Sequence, residues 1–215
     1  MSNKIYFKNI QEASYELISI LPKNILSSDE TVVISVSKEG LFFAKNISKA
    51  MNCELDILIT EPILAPNNTT LSIAMVSETK EVIMNKSLIN SFSIDEDYIY
   101  QEADKQYKEK ILEHIDIYRR GQELLSVEGK YVVLVDDCIE TGLSMMLALK
   151  SVIERGAKNI FIATPILDKI VYDNLITICD GVFCIHTIQD YISIEYYYEK
   201  FDCFNCENII EVIEK

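Results

Sequence analysis

Val132-Val133-Leu134-Val135-Asp136-Asp137-Cys138-Ile139-Glu140-Thr141-Gly142-Leu143-Ser144 is the stretch on which the fold turns. Its four leading apolar residues, mostly β-branched, read as a strand buried on both faces. Two adjacent carboxylates end that strand. A short loop carrying Thr141 and Gly142 then opens a helix at Ser144 that runs to Arg155, where Gly156 is a natural stop. A helix N-terminus offers unpaired backbone N–H groups and partial positive charge, which suit a phosphate dianion. Thr141 and Ser144 add hydroxyl donors, and Gly142 lets the backbone approach a phosphate closely. Asp136 and Asp137 have the chemistry to accept hydrogen bonds from vicinal ribose hydroxyls, or to hold a magnesium ion directly or through water. The plain alternative is a strand followed by a helix capped by Ser144, with the Asp pair in a solvated turn. Strand, loop length and helix all fall where phosphate binding requires them, which favours the ligand reading. A receiver domain also carries an acidic pair, but normally after its first strand, and this pair lies in the second half of the chain.

Working outward, strand-like and helix-like segments alternate. Thr31 to Val36 reads as a buried strand, Ser37-Lys38-Glu39-Gly40 as a tight connection, and Leu41 to Met51 as a helix with Phe43, Ala44, Ile47 and Met51 on one face. Leu55 to Ile59 is a second strand. Pro62, Pro66 and Asn67-Asn68 predict an irregular loop. Ser72 to Val76 and Glu81 to Met84 predict a hairpin or flap. Between Asp95 and Leu125, Ile99, Ala103, Tyr107, Ile111, Ile115 and Tyr118 recur near helical spacing, which predicts a long helix lying partly over the core with its charges in solvent. Asn159 to Ala163 and Gly181 to Ile185 are further strands, with a helix over Asp168 to Thr177 between them. An aromatic cluster (Tyr191, Tyr196, Tyr197, Tyr198, Phe201) precedes a short amphipathic helix near Asn208 to Ile213. The fold class expected is α/β: a mostly parallel sheet with helices on both faces, and a small flap or hood built from about 62–95 and 186–215. The chain is read as a single domain over 1–215, with ligand sites at the carboxyl ends of the strands.

The bulk numbers narrow the function classes. At 215 residues the chain can bury a sizeable core, and 49% hydrophobic residues is ordinary for a globular protein. A formal charge of −14 argues against non-specific binding to nucleic acid or to an anionic membrane. No apolar run reaches the ~20 residues of a membrane span, and the start of the chain lacks a signal-peptide pattern, so a cytoplasmic location is expected. Reduced thiols are then expected for Cys53, Cys138, Cys179, Cys184, Cys203 and Cys206. The last four form a loose zinc-like spacing, but Cys179 and Cys184 flank an apolar strand, which favours buried thiols over a metal site.

The segment from Asp136 to Ser144 resembles the signature of type I phosphoribosyltransferases, in which two acidic residues precede a loop ending in Thr-Gly and Ser or Thr. The likeness extends over most of the chain and is greatest to a group of bacterial phosphoribosyltransferases of undefined substrate. Supporting matches are Tyr6-Phe7-Lys8-Asn9 and Glu12-Ala13 at the start, the strand-loop-helix near Val36 to Ala44, and Tyr197-Tyr198-Glu199-Lys200-Phe201. The resemblance implies reaction at the anomeric carbon of phosphoribosyl pyrophosphate, with magnesium on the leaving pyrophosphate and a nucleobase, such as a 6-oxopurine, as acceptor. It implies that Asp136 and Asp137 contact ribose hydroxyls or the metal shell. It implies that the loop of Asp136, Asp137, Cys138, Ile139, Glu140, Thr141, Gly142, Leu143 and Ser144 binds phosphoribosyl pyrophosphate, with Glu140 to Ser144 on the 5-phosphate. Ser37, Lys38, Glu39 and Gly40 would form the pyrophosphate loop. By analogy with the family a homodimer is expected.

The departures matter as much. The related group carries Arg-Gly-Gly where this chain has Lys38-Glu39-Gly40, and Arg-Lys where it has Thr60-Glu61. Arg is the better bidentate phosphate donor, and the acidic replacements work against an anionic leaving group. Glu140 stands where 6-oxopurine enzymes have an Asp acting as acid or base on the purine, and it has one more methylene of reach. Its alternative is a solvated side chain. Tyr191 and Tyr197 are candidates to stack on a base, against the alternative of core packing. Asn85 to Ile94 is a candidate lid. His186 lies near the expected site edge with a structural role, and His114 has no expected chemical role. The rival reading is a non-catalytic protein of the same fold that senses phosphoribosyl pyrophosphate or a nucleotide. Such a sensor would act through a protein partner.

Overall fold

The computed structural model describes residues 5–26 and 30–201. The expected Asn208 to Ile213 helix and the Cys203 and Cys206 pair lie outside them. The main sheet holds β1 (Thr31–Ser35), β2 (Glu54–Ile57), β6 (Tyr131–Val135), β7 (Cys138–Ile139), β8 (Asn159–Asp168) and β9 (Gly181–Ile188). Its order is β2-β1-β6-β8, with β7 and β9 also paired to β8, and every pairing is parallel.

Parallel strands need crossovers, and helices supply them on both faces. α1 (Ile10–Ile20) and α2 (Leu41–Met51) cover one face, burying Ala13, Leu17, Phe43, Ala44 and Ile47 against Val33, Val133, Val135, Phe161 and Ala163. α6 (Leu143–Glu154) and α7 (Lys169–Leu175) cover the other, burying Met145, Ala148, Leu149, Val152 and Leu175 against Val32, Ile34, Val132, Leu134, Ile160 and Ile162. Successive residues of each strand thus serve opposite cores. This is why these strands read as continuous apolar runs rather than alternating ones.

A second, antiparallel sheet contains β3 (Thr60–Ala65), β4 (Asn68–Ser77) and β5 (Val82–Met84), in the order β3-β4-β5. It is the flap region. The irregular loop expected at Pro62 to Asn68 is instead a hairpin: Pro62 pairs with Met75 inside β3, and Pro66-Asn67 is the turn. Pro62 is tolerated because β3 is an edge strand, where a missing N–H breaks no inner ladder. After the short helix α3 (Lys86–Ser91), α4 (Glu96–Gln106) passes through a π-helical turn (Tyr107–Ile111) into α5 (Leu112–Arg119). The long helix ends earlier than its periodicity predicts, at Arg120, whose φ of 50° leaves the helical region. Its buried face, Ile99, Ala103 and Ile111, packs on Ile63, Ile73 and Val76 of the flap sheet rather than on the main core. β8 also runs further than expected, to Asp168, because its pairings skip Pro165 and resume at Ile166. Among the described residues no helix is long and apolar enough to cross a membrane.

Candidate functional site

β1 and β6 are neighbours in register, with Ser35 opposite Val135, so the loops that follow them leave the same edge of the sheet side by side. Val36 donates its N–H to the Val135 carbonyl at 2.9 Å, carrying the pairing one residue past the strands. Ser37 Oγ then donates to Asp136 Oδ1 and accepts from Gly40 N at 2.9 Å. Ser35 Oγ donates to the Ser37 carbonyl at 2.7 Å, closing the turn. Gly40 fits against this knot because it lacks a side chain. A Cβ there would lie 2.9 Å from Ser35 Oγ and 3.0 Å from Asp136 Cα. The Ser37–Gly40 turn and the Asp136–Ser144 loop are therefore one assembly, joined by residues 99 apart in sequence.

Asp136 is buried and Asp137 half-buried. Burial, reinforced by the neighbouring Asp137 charge, holds the Asp136 carboxyl well above the usual carboxylate range. Burial also pushes Asp137 up to about 6, with Glu39 adding to the rise, while the bond to Asp136 and the Cys138 N–H work against it. A buried carboxylate beside a half-buried one, both raised by desolvation, is an environment that a bound cation relieves. Magnesium is typically held by one or two carboxylates, with substrate oxygens and water completing its shell, so the Asp136–Asp137 pair fits it. Among the described residues no group of three or more His, Cys, Asp or Glu side chains gathers as a self-sufficient metal cage.

Beyond the acids, Cys138 and Ile139 form β7 against β8, with Ile139 buried. Glu140 and Thr141 are exposed. Gly142, at φ 73°, is the N-cap of α6 and lies against Val171, so that a Cβ would come within 2.6 Å of Val171 Cγ1. Ser144 does not cap the helix; its Oγ contacts Met75 Sδ of the flap at 3.1 Å. α1, α3, α4 and α7 begin with side-chain caps from Asn9, Asn85, Asp95 and Asp168. α2 and α6, the helices that follow the two loops, begin at glycines without one. Their first N–H groups make long local bonds instead, Leu41 to the Lys38 carbonyl at 3.3 Å and Leu143 to Thr141 Oγ1 at 3.5 Å.

The aromatic candidates separate. Tyr191 is half-buried and donates its hydroxyl to Cys138 Sγ at 3.4 Å, so it touches the acidic loop. Burial holds both the Cys138 thiol and the Tyr191 hydroxyl far above their usual range. Tyr197 must be corrected as a stacking candidate. It is only 3% exposed, packs among Tyr6, Tyr191 and Tyr196, and accepts the Ile192 N–H at 3.0 Å. Its ring is core. His186 packs its ring on Tyr6 and Phe7, at 4.1 and 5.3 Å between centroids.

The Glu61 departure also resolves in space. Its carboxylate meets His114 Nδ1 at 3.0 Å and Lys110 Nζ at 3.6 Å, both on the long helix. Its charge is thus taken up within the flap. Sequence reasoning missed the buried Arg119, which joins Asp56 and Glu78, and the seating of Lys38 over the Tyr118 ring at 4.9 Å. Both are contacts between segments distant in sequence, and no local pattern announces them.

The sequence pattern of the phosphoribosyl transferase domain matches residues 2–200. The chain belongs to the type I phosphoribosyltransferase family. The Mycobacterium tuberculosis protein "Putative phosphoribosyl transferase Rv0571c" is 22% identical over 190 residues, covering 88% of this chain and 43% of its own length. This chain therefore spans less than half of that relative. Among solved structures, TT1426 from Thermus thermophilus superposes with a TM-score of 0.78 at 24% identity, covering 97% of this chain and 98% of its own. A purine phosphoribosyltransferase from Pyrococcus horikoshii gives a TM-score of 0.51 at 14% identity, covering 92% and 94%. These likenesses show the fold: the family's α/β core with an inserted flap.

Proposed function

We propose that this phosphoribosyltransferase-family chain transfers the 5-phosphoribosyl group of phosphoribosyl pyrophosphate to a ring nitrogen of a nucleobase. The observation that carries the reading is the joined pair of loops, with Ser37 bonded to Asp136 where two uncapped helices begin. One loop offers hydroxyls and N–H groups to the 5-phosphate; the other lies one strand away, a spacing suited to a ribose with the pyrophosphate beyond it. In the transfer the bond from C1′ to pyrophosphate oxygen breaks, with its electron pair leaving on pyrophosphate, and a bond from C1′ to nitrogen forms. Asp136 and Asp137 would hold the ribose hydroxyls and stabilise positive charge as it builds on the sugar. Magnesium, when bound at this pair, would neutralise the leaving pyrophosphate.

Lys38 and the N–H groups at the start of α2 would receive the pyrophosphate. Glu140, exposed at the mouth of the loop, would take the proton from the incoming base or hold its exocyclic group. Tyr191 would face the base, held at its far end by Cys138. A 6-oxopurine acceptor rests on Glu140 standing where such enzymes carry an acid. A cytoplasmic location and a homodimer belong to the same reading.

A second reading, sensing without transfer, is favoured by Glu39, whose charge acts on Asp137 and would oppose an anionic leaving group. Incubation with magnesium, phosphoribosyl pyrophosphate and a pool of purine and pyrimidine bases separates the two. Mass spectrometry should find a new nucleoside monophosphate if the chain is a transferase. Absence of product beside an active control enzyme would move the reading to a sensor.

A further inference from the structure

The helix that opens from the acidic loop also carries the flap. Toward the far end of α6, Lys150 Nζ meets Glu81 Oε2 at 2.6 Å. Beside it the hydroxyls of Ser77, Thr79 and Ser151 close a ring of hydrogen bonds at 2.7, 2.9 and 3.1 Å, with Ser77 and Ser151 fully buried. At the near end, in the first turn of α6, Ser144 Oγ donates to Met75 Sδ at 3.1 Å, and both residues are half-buried. Methionine is a flexible side chain and a poor anchor by itself. Here it stands on β4, the middle strand of the flap sheet, paired with Pro62 on one side and Ile83 on the other. Sheet pairing and the contacts along α6 fix where its sulfur can go.

A serine early in a helix commonly caps it or bonds back to a carbonyl of the preceding turn. Ser144 turns away from its own helix, to the flap. We infer that Met75 is a positioning residue for the 5-phosphate: its sulfur holds the Ser144 hydroxyl before the ligand arrives and yields it when the phosphate binds. The inference rests on the proposed role of Glu140 to Ser144 as the 5-phosphate loop. A thioether is a weak acceptor, whereas a phosphate oxygen is charged and takes a stronger bond. The hydroxyl therefore passes from sulfur to phosphate at little cost. Without the sulfur, it turns back to a main-chain carbonyl, a better acceptor than a thioether, and the phosphate has to break that bond first.

Two measurements on the full chain test this. In NMR spectra of protein labelled with methyl-13C methionine, the Met75 methyl signal is identified by its loss in Met75→Leu. It should shift in ligand-free Ser144→Ala. In the wild type, adding magnesium and phosphoribosyl pyrophosphate should move it toward its position in Ser144→Ala. By calorimetry with the same ligand, Met75→Leu should weaken binding about two- to tenfold and should add nothing in a Ser144→Ala background. Leucine nearly conserves the volume of methionine, so the flap keeps its packing. A Met75 signal unmoved by Ser144→Ala overturns the contact, whatever binds. Ligand binding that leaves the Met75 signal in place overturns the hand-over while the phosphoribosyl pyrophosphate reading stands. Equal affinity in Met75→Leu overturns the positioning role, and so does an undiminished loss in the Ser144→Ala background, which is what packing alone would give. A wild-type protein that does not bind phosphoribosyl pyrophosphate overturns the proposed function and takes the positioning role with it.

Discussion

Replacing Arg119 by methionine removes the guanidinium that lies between two buried carboxylates. Arg119 Nη1 meets Asp56 Oδ2 at 3.4 Å and Nη2 bonds Glu78 Oε2, with side-chain exposures of 3%, 2% and 5% for Arg119, Asp56 and Glu78. The carboxylates also accept the N–H groups of Leu125, Ile57 and Ile59, so they are fixed in place and stay buried when the arginine goes. Removing one partner of a buried ion pair costs about 3–5 kcal/mol, because the remaining charge is uncompensated. For a chain of this size that corresponds to a fall in Tm of roughly 6–20 °C.

The pH dependence has a definite sign. Burial already raises both carboxyls, and Arg119 pulls them back down, so the substitution raises them further. An acid raised in the folded state favours folding below its unfolded value, near ~4, and loses that benefit as pH rises through the folded value. The variant's deficit should therefore be largest at neutral pH and shrink as pH falls toward 5. Thermal unfolding followed by circular dichroism at pH 5 and 7.5, for both proteins, measures it. A deficit under about 1 kcal/mol at pH 7.5, or one unchanged between the two pH values, would refute the reasoning.

Gly40→Ala places a methyl 3.0 Å from Asp136 Cα, so the turn must lift from the acidic pair; stability should fall by about 1–3 kcal/mol in urea titrations, and calorimetry should show at least about a tenfold loss of phosphoribosyl pyrophosphate affinity. Gly142→Ala is strained twice, by its φ of 73° and by Val171 Cγ1 at 2.6 Å, and adding Val171→Ala should recover the steric part but not the backbone part in a double-mutant cycle of unfolding free energies. Burial pushes the Cys53 thiol up to about 11 and Cys184 up to about 12, and Cys138 higher still, so all three should resist iodoacetamide at pH 8 in the native protein and react on unfolding, as read by peptide mass spectrometry.

The parallel core was legible because burial on both faces leaves uninterrupted apolar runs at Thr31–Ser35 and Tyr131–Val135. Proline misled the reading wherever the sheet had a local way to absorb it: Pro62 on an edge strand, Pro165 in a skipped pairing. The acidic loop was legible in the order strand, carboxylates, Thr-Gly, helix. Its partner loop was legible as a turn, but the bond from Ser37 to Asp136 was not, since adjacency of β1 and β6 is a property of topology rather than of either segment. The aromatic cluster illustrates the same limit. Composition gave no means of telling Tyr191, which reaches Cys138, from Tyr197, enclosed by its neighbours. Glu61 read as a charge set against an anionic leaving group and Arg119 as part of a solvated face, yet tertiary pairing buries both.

The central claim, that the loops after β1 and β6 form one site for phosphoribosyl pyrophosphate, is tested most directly by calorimetric titration of that ligand with magnesium into the wild-type protein and into Asp136→Asn/Asp137→Asn. The substitution keeps the shape of the pair and removes its charge. The account predicts saturable binding to the wild type and at least about a hundredfold weaker binding to the variant, with circular dichroism showing both folded. Equal affinity in the two proteins would contradict it.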